Sequence, residues 1–399
     1  MLTKFAFLAA TLVVVACEHD DDTLLAKAHN QFAVNLLKHL ATQDTSSNVF
    51  FSPTSIAAAF GMAYAGARGS SEAELGSVLG HTAVGLTDRA TVLAAYKNLL
   101  ELSVSSNVTL HVANMVLAQN GLPVTDNYKQ QLREVFDAEL RSADFANEGP
   151  RVAAEVNAWV REKTRGKISG ILPESQPLDI VLFILNAVYF KGTWARKFDV
   201  ADTVNKPFFN LGTTEVSKPA MHLRIRLPHT RIDALHASAV EIPYEGGKFS
   251  MVVVLPDSLT GLQTLREGLS VASLEDLGSK LHTKDVILRL PKFEMTLSYN
   301  LVSAMKALGL NSVFGSSADF SGITEGIPVY ISDAVHKAAV KVNEEGTVAA
   351  AVTGLSFMPI SALNAPPPPV LFTVDRPFLY YIRDKNTNRI LFIGEVHSL

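Results

Sequence analysis

Residues 344–369, EEGTVAAAVTGLSFMPISALNAPPPP, constrain this chain more than any other stretch: positions 346–369 contain no Asp, Glu, Lys or Arg. Gly346, Gly354, Pro359 and four consecutive prolines rule out a helix there. Long surface loops normally carry charge, because an uncharged apolar segment is a template for aggregation. A segment that must later enter a β-sheet has the opposite requirement: it must be apolar, small and extended. Read with a period of two, one face carries Thr347, Ala349, Ala351, Thr353, Leu355 and Phe357, small at first and then apolar, as in a strand laid over a packed core. Ala349, Ala350 and Ala351 offer little bulk, and Gly346 gives the backbone a hinge. Composition alone also fits an Ala/Pro linker between two domains. The 30 residues after Pro369 are too few to bury an apolar face of their own, so one fold must close across this segment.

The rest of the chain mixes helical and strand patterns. Residues 24–40 place Leu25, Ala28, Phe32, Leu36, Leu37 and Leu40 at helical spacing. Ser52-Pro53 reads as an N-cap followed by proline at the first helical position, opening a helix that is apolar on nearly every side and therefore central. Helices are also expected over 87–107, up to Phe136, over 150–163, in two short pieces before Leu281, and over 299–310. A strand over 108–118 sets Leu110, Val112 and Val116 against His111, Asn114 and Gln119. IVLFILNAVYF at 180–190 suits a strand buried on both faces. Residues 203–255 are β-rich, 285–290 and 328–342 are strands, and VLFTVDRPFLYYIRD and RILFIGEV form two more. No internal repeat occurs. The intermixing predicts an α+β fold in a single domain over residues 18–399.

Residues 1–17 carry Lys4 and an apolar run too short for a membrane span but suited to a signal peptide, cut after Ala16 or Cys17. Val14-Val15-Ala16-Cys17 also has the form of a bacterial lipobox. Cys17 is the only cysteine, so the mature chain has no disulfide framework; a chain of 399 residues is large enough to stabilise itself by burial. The sequon at Asn107 is a glycosylation candidate in a secreted, extracellular protein. A net charge of −4 argues against a nucleic-acid binder, and no other apolar run is long enough for a membrane.

Catalytic signatures are poor. Gly69-Ser70-Ser71 and Gly315-Ser316-Ser317 lack the second glycine of a nucleophile elbow, and no HExxH, P-loop or GxGxxG occurs. With no catalytic cysteine available, a thiol protease is excluded. The histidines are scattered, and no metal site or cofactor is expected. His222, Arg224 and Arg226 share one strand face, with Arg231 nearby. That face is either simply solvated or a weak glycosaminoglycan site.

NVFFSPTSIAAAFGMAYAGARGSSEAEL (48–75), NAVYFKGTWARKF (186–198), KPAM before His222, EIPYEGGKFSMVVVLPD (241–257), LPKFEM, ADFSGI, ISDAVHKAAVKVNEEGT and DRPFLYYIRD together resemble the serpins, over essentially residues 24–399. The phrasing is most similar to arthropod serpins, those of tick saliva in particular. The resemblance implies three β-sheets with about nine helices and an exposed reactive loop, here about 344–369. A target serine protease cuts that loop and is trapped as an acyl-enzyme while the loop enters the main sheet, a well-known instance of strand addition and of strain released on cleavage. The chain would then be a monomeric suicide substrate, not an enzyme. The hinge maps onto Glu344, Glu345, Gly346, Thr347, Val348, Ala349, Ala350 and Ala351. Ser52, Ser55, Asn186 and His336 match the family's polar cluster where the sheet opens, and Lys292 and Glu344 its ion pair beside Trp194. Sixteen positions after Glu344 the reactive bond falls at Ile360-Ser361, fitting the shallow apolar pocket of an elastase-like protease. Phe357 or Leu363 would serve a chymotrypsin-like one. The alternative is a non-inhibitory serpin, a binding, carrier or storage protein. Such relatives have bulky, charged or proline residues in the hinge, and this chain has none.

Overall fold

In β4 (Leu182–Gly192) every residue but Lys191 is buried, as its nearly continuous apolar sequence requires. The strand sits at the middle of a five-stranded sheet in a computed structural model that describes residues 2–101, 108–173, 181–346 and 367–399. The spatial order is β10 (Phe293–Asn300), β11 (Ile331–Val342), β4, β2 (Val108–Gln119), β3 (Glu139–Ala143). A second network joins β1 (Val49–Phe51), β14 (Ile390–Val396), β13 (Phe378–Asp384), β8 (Phe249–Pro256), β7 (Ala237–Pro243), β6 (Thr214–Ile232), β9 (His282–Pro291) and β12 (Val370–Thr373), with β5 (Val204–Asn210) also on β6. Two of the three expected sheets are therefore continuous here. The 19-residue β6 pairs with β5 and β9 along most of its length and with β7 at its last residues.

Nine α-helices lie among the described residues: α1 (Leu2–Gln43), α2 (Pro53–Gly66), α3 (Gly69–Val78), α4 (Arg89–Glu101), α5 (Asp126–Phe136), α6 (Phe145–Lys163), α7 (Leu262–Gly268), α8 (Val271–Lys280) and α9 (Leu301–Ala307). The fold is α+β. Helix α1 begins well before the periodic segment at 24–40, since the apolar run ahead of it is itself a good helix former. No described helix is long and apolar enough to cross a membrane. Helix α2 is buried along its whole length, and its N-cap is Ser52, whose side chain accepts from Ser55 N–H. Helix α6 starts before Pro150, at the cost of one non-helical residue, Glu148, where the proline's ring and missing N–H disturb the turn.

Four elements differ from expectation. Residues 299 and 300 end β10 instead of starting a helix, because Phe293, Met295, Leu297 and Tyr299 alternate as a strand and Asn300 caps α9. VLFTVDRPFLYYIRD is two strands: β12 pairs parallel with β9, while β13 lies between β8 and β14, the break falling at Pro377. The short strands β1 and β3 carry too little pattern to announce themselves.

The core has three parts. One packs α1, α2, α4 and α5 with the sheets, including Phe60, Tyr96 and Ile393. A second lies between the two sheets, where Val188 and Phe190 of β4 meet Tyr380 and Phe392. The third holds α6 on the opposite face of β2 and β4 through Val156, Trp159 and Val160.

Candidate functional site

Strands β4 and β11 run parallel, in register from Asp333↔Phe183 to Ala339↔Tyr189, with a bulge at Ser332 before the first pair, Ile331↔Leu182. Above the last pair the chain leaving β11 makes a tight turn: Gly346 N–H donates to Asn343 O (3.2 Å), and Asn343 N–H donates back to Gly346 O (3.1 Å). Gly346 then bridges antiparallel to Thr193, just beyond the end of β4. Its φ is +115°, and a Cβ there would lie 2.3 Å from Gly192 O and 2.6 Å from Trp194 N, so only glycine fits. The chain after Asn343 thus comes to lie at the top of β4, at the β4–β11 seam.

Trp194 anchors this corner. Its indole stacks on Tyr244 at 4.6 Å and donates from Nε1 to Asn343 O at 2.9 Å. Backbone bonds run from Trp194 N–H to Glu345 O (3.1 Å) and from Phe198 N–H to Glu344 O (2.9 Å). Lys292 Nζ lies 2.9 Å from the Glu344 carboxylate, which also accepts from Thr203 Oγ1 at 2.8 Å. Burial opposes ionisation of Glu344, but the hydrogen bonds from Lys292 and Thr203 outweigh it and hold the carboxyl below its usual range.

Lower in the same sheet, Asn114, Asn186 and His336 stand in one row across β2, β4 and β11. Ser52 N–H donates to His336 Nε2 at 3.2 Å, which fixes the neutral tautomer with the proton on Nδ1. That Nδ1–H donates to Asn186 Oδ1 at 2.6 Å. The Asn186 amide in turn donates to Ser55 Oγ (2.6 Å) and Asn114 Oδ1 (2.7 Å), and Ser52 Oγ donates to Leu391 O (2.6 Å). Burial depresses the His336 pKa to about 3. Helix α2, three sheet strands and β14 are thereby tied at one buried polar point, where each group must keep its partner.

The family model "Serpin (serine protease inhibitor)" matches residues 27–399. The chain belongs to the serpins. Iripin-2 of the tick Ixodes ricinus is 41% identical over 401 residues, 100% of this chain and 99% of that protein. Intracellular coagulation inhibitor 2 of Tachypleus tridentatus is 34% identical, covering 94% and 91% of the two chains. Among solved structures, thyroxine-binding globulin in complex with thyroxine aligns with a TM-score of 0.83 at 27% identity, over 94% of this chain and 98% of that one. Serpins are protease inhibitors and in general not enzymes.

In this serpin the fold brings Ser52, Ser55, Asn186 and His336 into one cluster, and Trp194, Lys292, Glu344, Glu345 and Gly346 into another. Thr347, Val348, Ala349, Ala350, Ala351, the bond Ile360-Ser361 and the sequon at Asn107 lie outside the described residues. Among the described residues no group of His, Cys, Asp or Glu could hold a metal. Sequence reading missed three members of the two clusters. Asn114 was set on the polar side of its strand, yet it is in phase with Leu110, Val112 and Val116 and is 4% exposed. A polar residue on an apolar face was the available signal. Thr203 and Tyr244 carried no local signal, since only tertiary contacts recruit them. Of the basic residues on β6, Arg224 is taken up by Asp285, and Arg231 by Asp233 and Asp257.

Proposed function

We propose that this serpin is a secreted inhibitor that acts as a suicide substrate: residues 1–17 are removed, Asn107 carries a glycan, and a serine protease cleaves the loop at Ile360-Ser361. The seam between β4 and β11 is the observation that carries this reading. Both flanking strands point toward the turn at Asn343, so a segment folding back from Gly346 would run antiparallel to each. Insertion would replace one parallel pairing by two antiparallel ones, which are somewhat more stable per residue. Residues 347–360 number 14, enough to run past the 11 residues of β4, and they carry no charge to be buried. The Trp194–Lys292–Glu344 corner and the His336–Asn186 cluster hold the seam closed until the loop is cut. The target is an elastase-like or chymotrypsin-like enzyme, such as one of a host's haemostatic or immune system. This is in keeping with a relative named as a coagulation inhibitor. The protein works as a monomer without a cofactor.

The likeness to thyroxine-binding globulin favours a second reading, a serpin that carries a ligand and does not inhibit. The small, proline-free hinge from Gly346 to Ala351 speaks for inhibition. Mixing the purified mature protein with elastase-, chymotrypsin- and trypsin-like proteases tests both. A covalent complex surviving denaturation, with a released peptide beginning at Ser361, is expected with an elastase-like enzyme. A peptide beginning elsewhere moves the bond, while a cut loop with no complex leaves the carrier reading.

A further inference from the structure

Leu371 of β12 is 73% exposed, the most exposed large apolar side chain among the described residues. Its strand pairs parallel with β9 from Val370↔Val286 to Thr373↔Arg289, and the register sets Leu371 directly opposite Ile287. The two faces of this ladder differ. Val286, Leu288 and Phe372 are buried in the core between the sheets, whereas Ile287 is half-buried and Leu371 stands in solvent on the outer face. Arg224 of β6, opposite Ile287 on the other side, is held by Asp285 at 2.7 Å. Ahead of Val370, Pro367 and Pro368 are exposed and belong to neither helix nor strand. Strand β9 reaches back to His282, where it pairs with β6. A longer β12 would therefore set residues 369, 368 and 367 against Asp285, Lys284 and Thr283. Proline has no N–H to donate to that edge, so the ladder stops at Val370. The chain ahead of it leaves the sheet, kept stiff by the proline rings, each of which adds about 3.1 Å in the extended polyproline form. No residue from Gly346 to Val374 is charged.

We propose that Pro367, Pro368, Leu371 and Ile287 form a docking surface for the target serine protease, which covers them with an aromatic or aliphatic patch beside the primed side of its cleft. This inference rests on the suicide-substrate reading. Chain continuity names the occupant. Six residues, Ser361 to Pro366, separate the reactive bond from Pro367, a reach of at most about 20 Å when fully extended. A protease domain is roughly 30 Å or more across, so one seated on Ile360-Ser361 comes within reach of this face. Chemistry names the contact. Proline-rich segments dock on aromatic rings because their preset backbone loses little entropy on binding, and a leucine so exposed gains from burial. The arm lies on the far side of the cut bond from Ile360, the residue that carries the acylated protease. The contact therefore acts on encounter and selects among proteases, and it takes no part in loop insertion.

The test takes a protease that the intact mature protein traps covalently. It measures the second-order rate of complex formation and the number of inhibitor molecules consumed per protease trapped. Leu371→Ser, and replacement of Pro366–Pro369 by Gly-Ser-Gly-Ser, should each slow complex formation about 10-fold and leave the number consumed unchanged. The same protease with its catalytic serine changed to alanine should bind both variants about 10-fold more weakly than wild type. Leu211→Ser, at a leucine 42% exposed in the β5–β6 turn, should stay within about twofold of wild type in each assay. Slowing by the Gly-Ser arm alone would make the prolines a spacer and remove the contact. Unchanged rates in both variants, or more inhibitor consumed at an unchanged rate, would overturn the proposal. Self-association of the intact protein that Leu371→Ser abolishes would assign the patch to a second copy instead. Absence of a covalent complex with any protease would sink the inhibitory reading, and this inference with it.

Discussion

At the scale of single residues, Gly346 and His336 give the clearest tests of the proposed loop and sheet roles. Gly346→Ala puts a methyl group against the backbone of Gly192 and Trp194 and demands a left-handed conformation of an L-residue. It should lower the stability of the intact protein by about 2–4 kcal/mol. If the loop enters the sheet after cleavage, that residue becomes part of a strand or its approach and alanine is tolerated. The cleaved variant should then melt within a degree or two of the cleaved wild type, and a large deficit in both forms would contradict the hinge role. His336 is neutral when folded, with a pKa of about 3 against 6.5 for the free side chain. Below pH 6.5 the unfolded chain takes up a proton that the folded protein refuses. This contribution is therefore complete above about pH 6.5 and is lost as pH falls toward 3, by about 1.4 kcal/mol per unit. Protonated Nε2 could not accept from Ser52 N–H. Buried His29 and His81 add loss of the same sign, so the comparison to make is wild type against His336→Gln. Denaturant midpoints at pH 7 and pH 5 should show the variant losing about 2 kcal/mol less over that interval. Equal losses would mean that His336 is not held neutral.

At the scale of elements, charge pairs fasten strands and helices that share no ladder. The Lys292–Glu344 pair joins the chain between β9 and β10 to the turn after β11, with the carboxylate 93% and the lysine 62% buried. Lys292→Met leaves a largely buried carboxylate without its cation. It should cost about 1–3 kcal/mol, show as a lower melting temperature of the intact protein, and speed loss of inhibition on storage as the seam opens unaided. A variant as durable as wild type would remove this pair from the account of how the seam stays closed. Deeper in the molecule, Arg266 of α7 meets Glu395 of β14 in a paired contact (Nε–Oε1 2.9 Å, Nη2–Oε2 2.7 Å), donates to Ala41 O of α1, and shares Glu395 with His397. Both members are at least 95% buried, so Arg266→Met strands a carboxylate and should cost about 3–5 kcal/mol. Arg266→Met combined with Glu395→Leu should recover most of that, because an apolar pair of similar size avoids the desolvation of both charges. Failure of the double change to recover stability would mean that packing around α7, and not the charge, is what the arginine supplies.

At the scale of the whole molecule, cleavage is expected to turn the five-stranded sheet into one of six. A net gain of about ten backbone hydrogen bonds at about 1 kcal/mol each, set against the unfolding entropy of a chain this size, raises the melting temperature on the order of 10 °C. Calorimetry before and after loop cleavage measures it; an unchanged melting temperature would mean that the loop does not insert. The sequence by itself determined the elements whose signal is local: the buried run of β4, the Ser52-Pro53 start of α2, the presence of helices α5 and α6, and the turn that Gly346 makes after β11. These follow from periodicity, capping and the backbone demands of Gly and Pro, which act over a few residues. The motif-length matches also placed Ser52, Ser55, Asn186, His336, Trp194, Lys292 and Glu344 in two groups before any coordinates. Tertiary structure alone decided that β4 and β11 are parallel neighbours and that β6 ties two sheets into one. It also decided that VLFT leaves β13 for β9, that Asn114, Thr203 and Tyr244 complete the two clusters, and that Leu371 and Ile287 stand side by side on an outer face while Arg224 is neutralised. Strand order and cross-strand register depend on contacts between residues tens to hundreds of positions apart, and no window of sequence contains them.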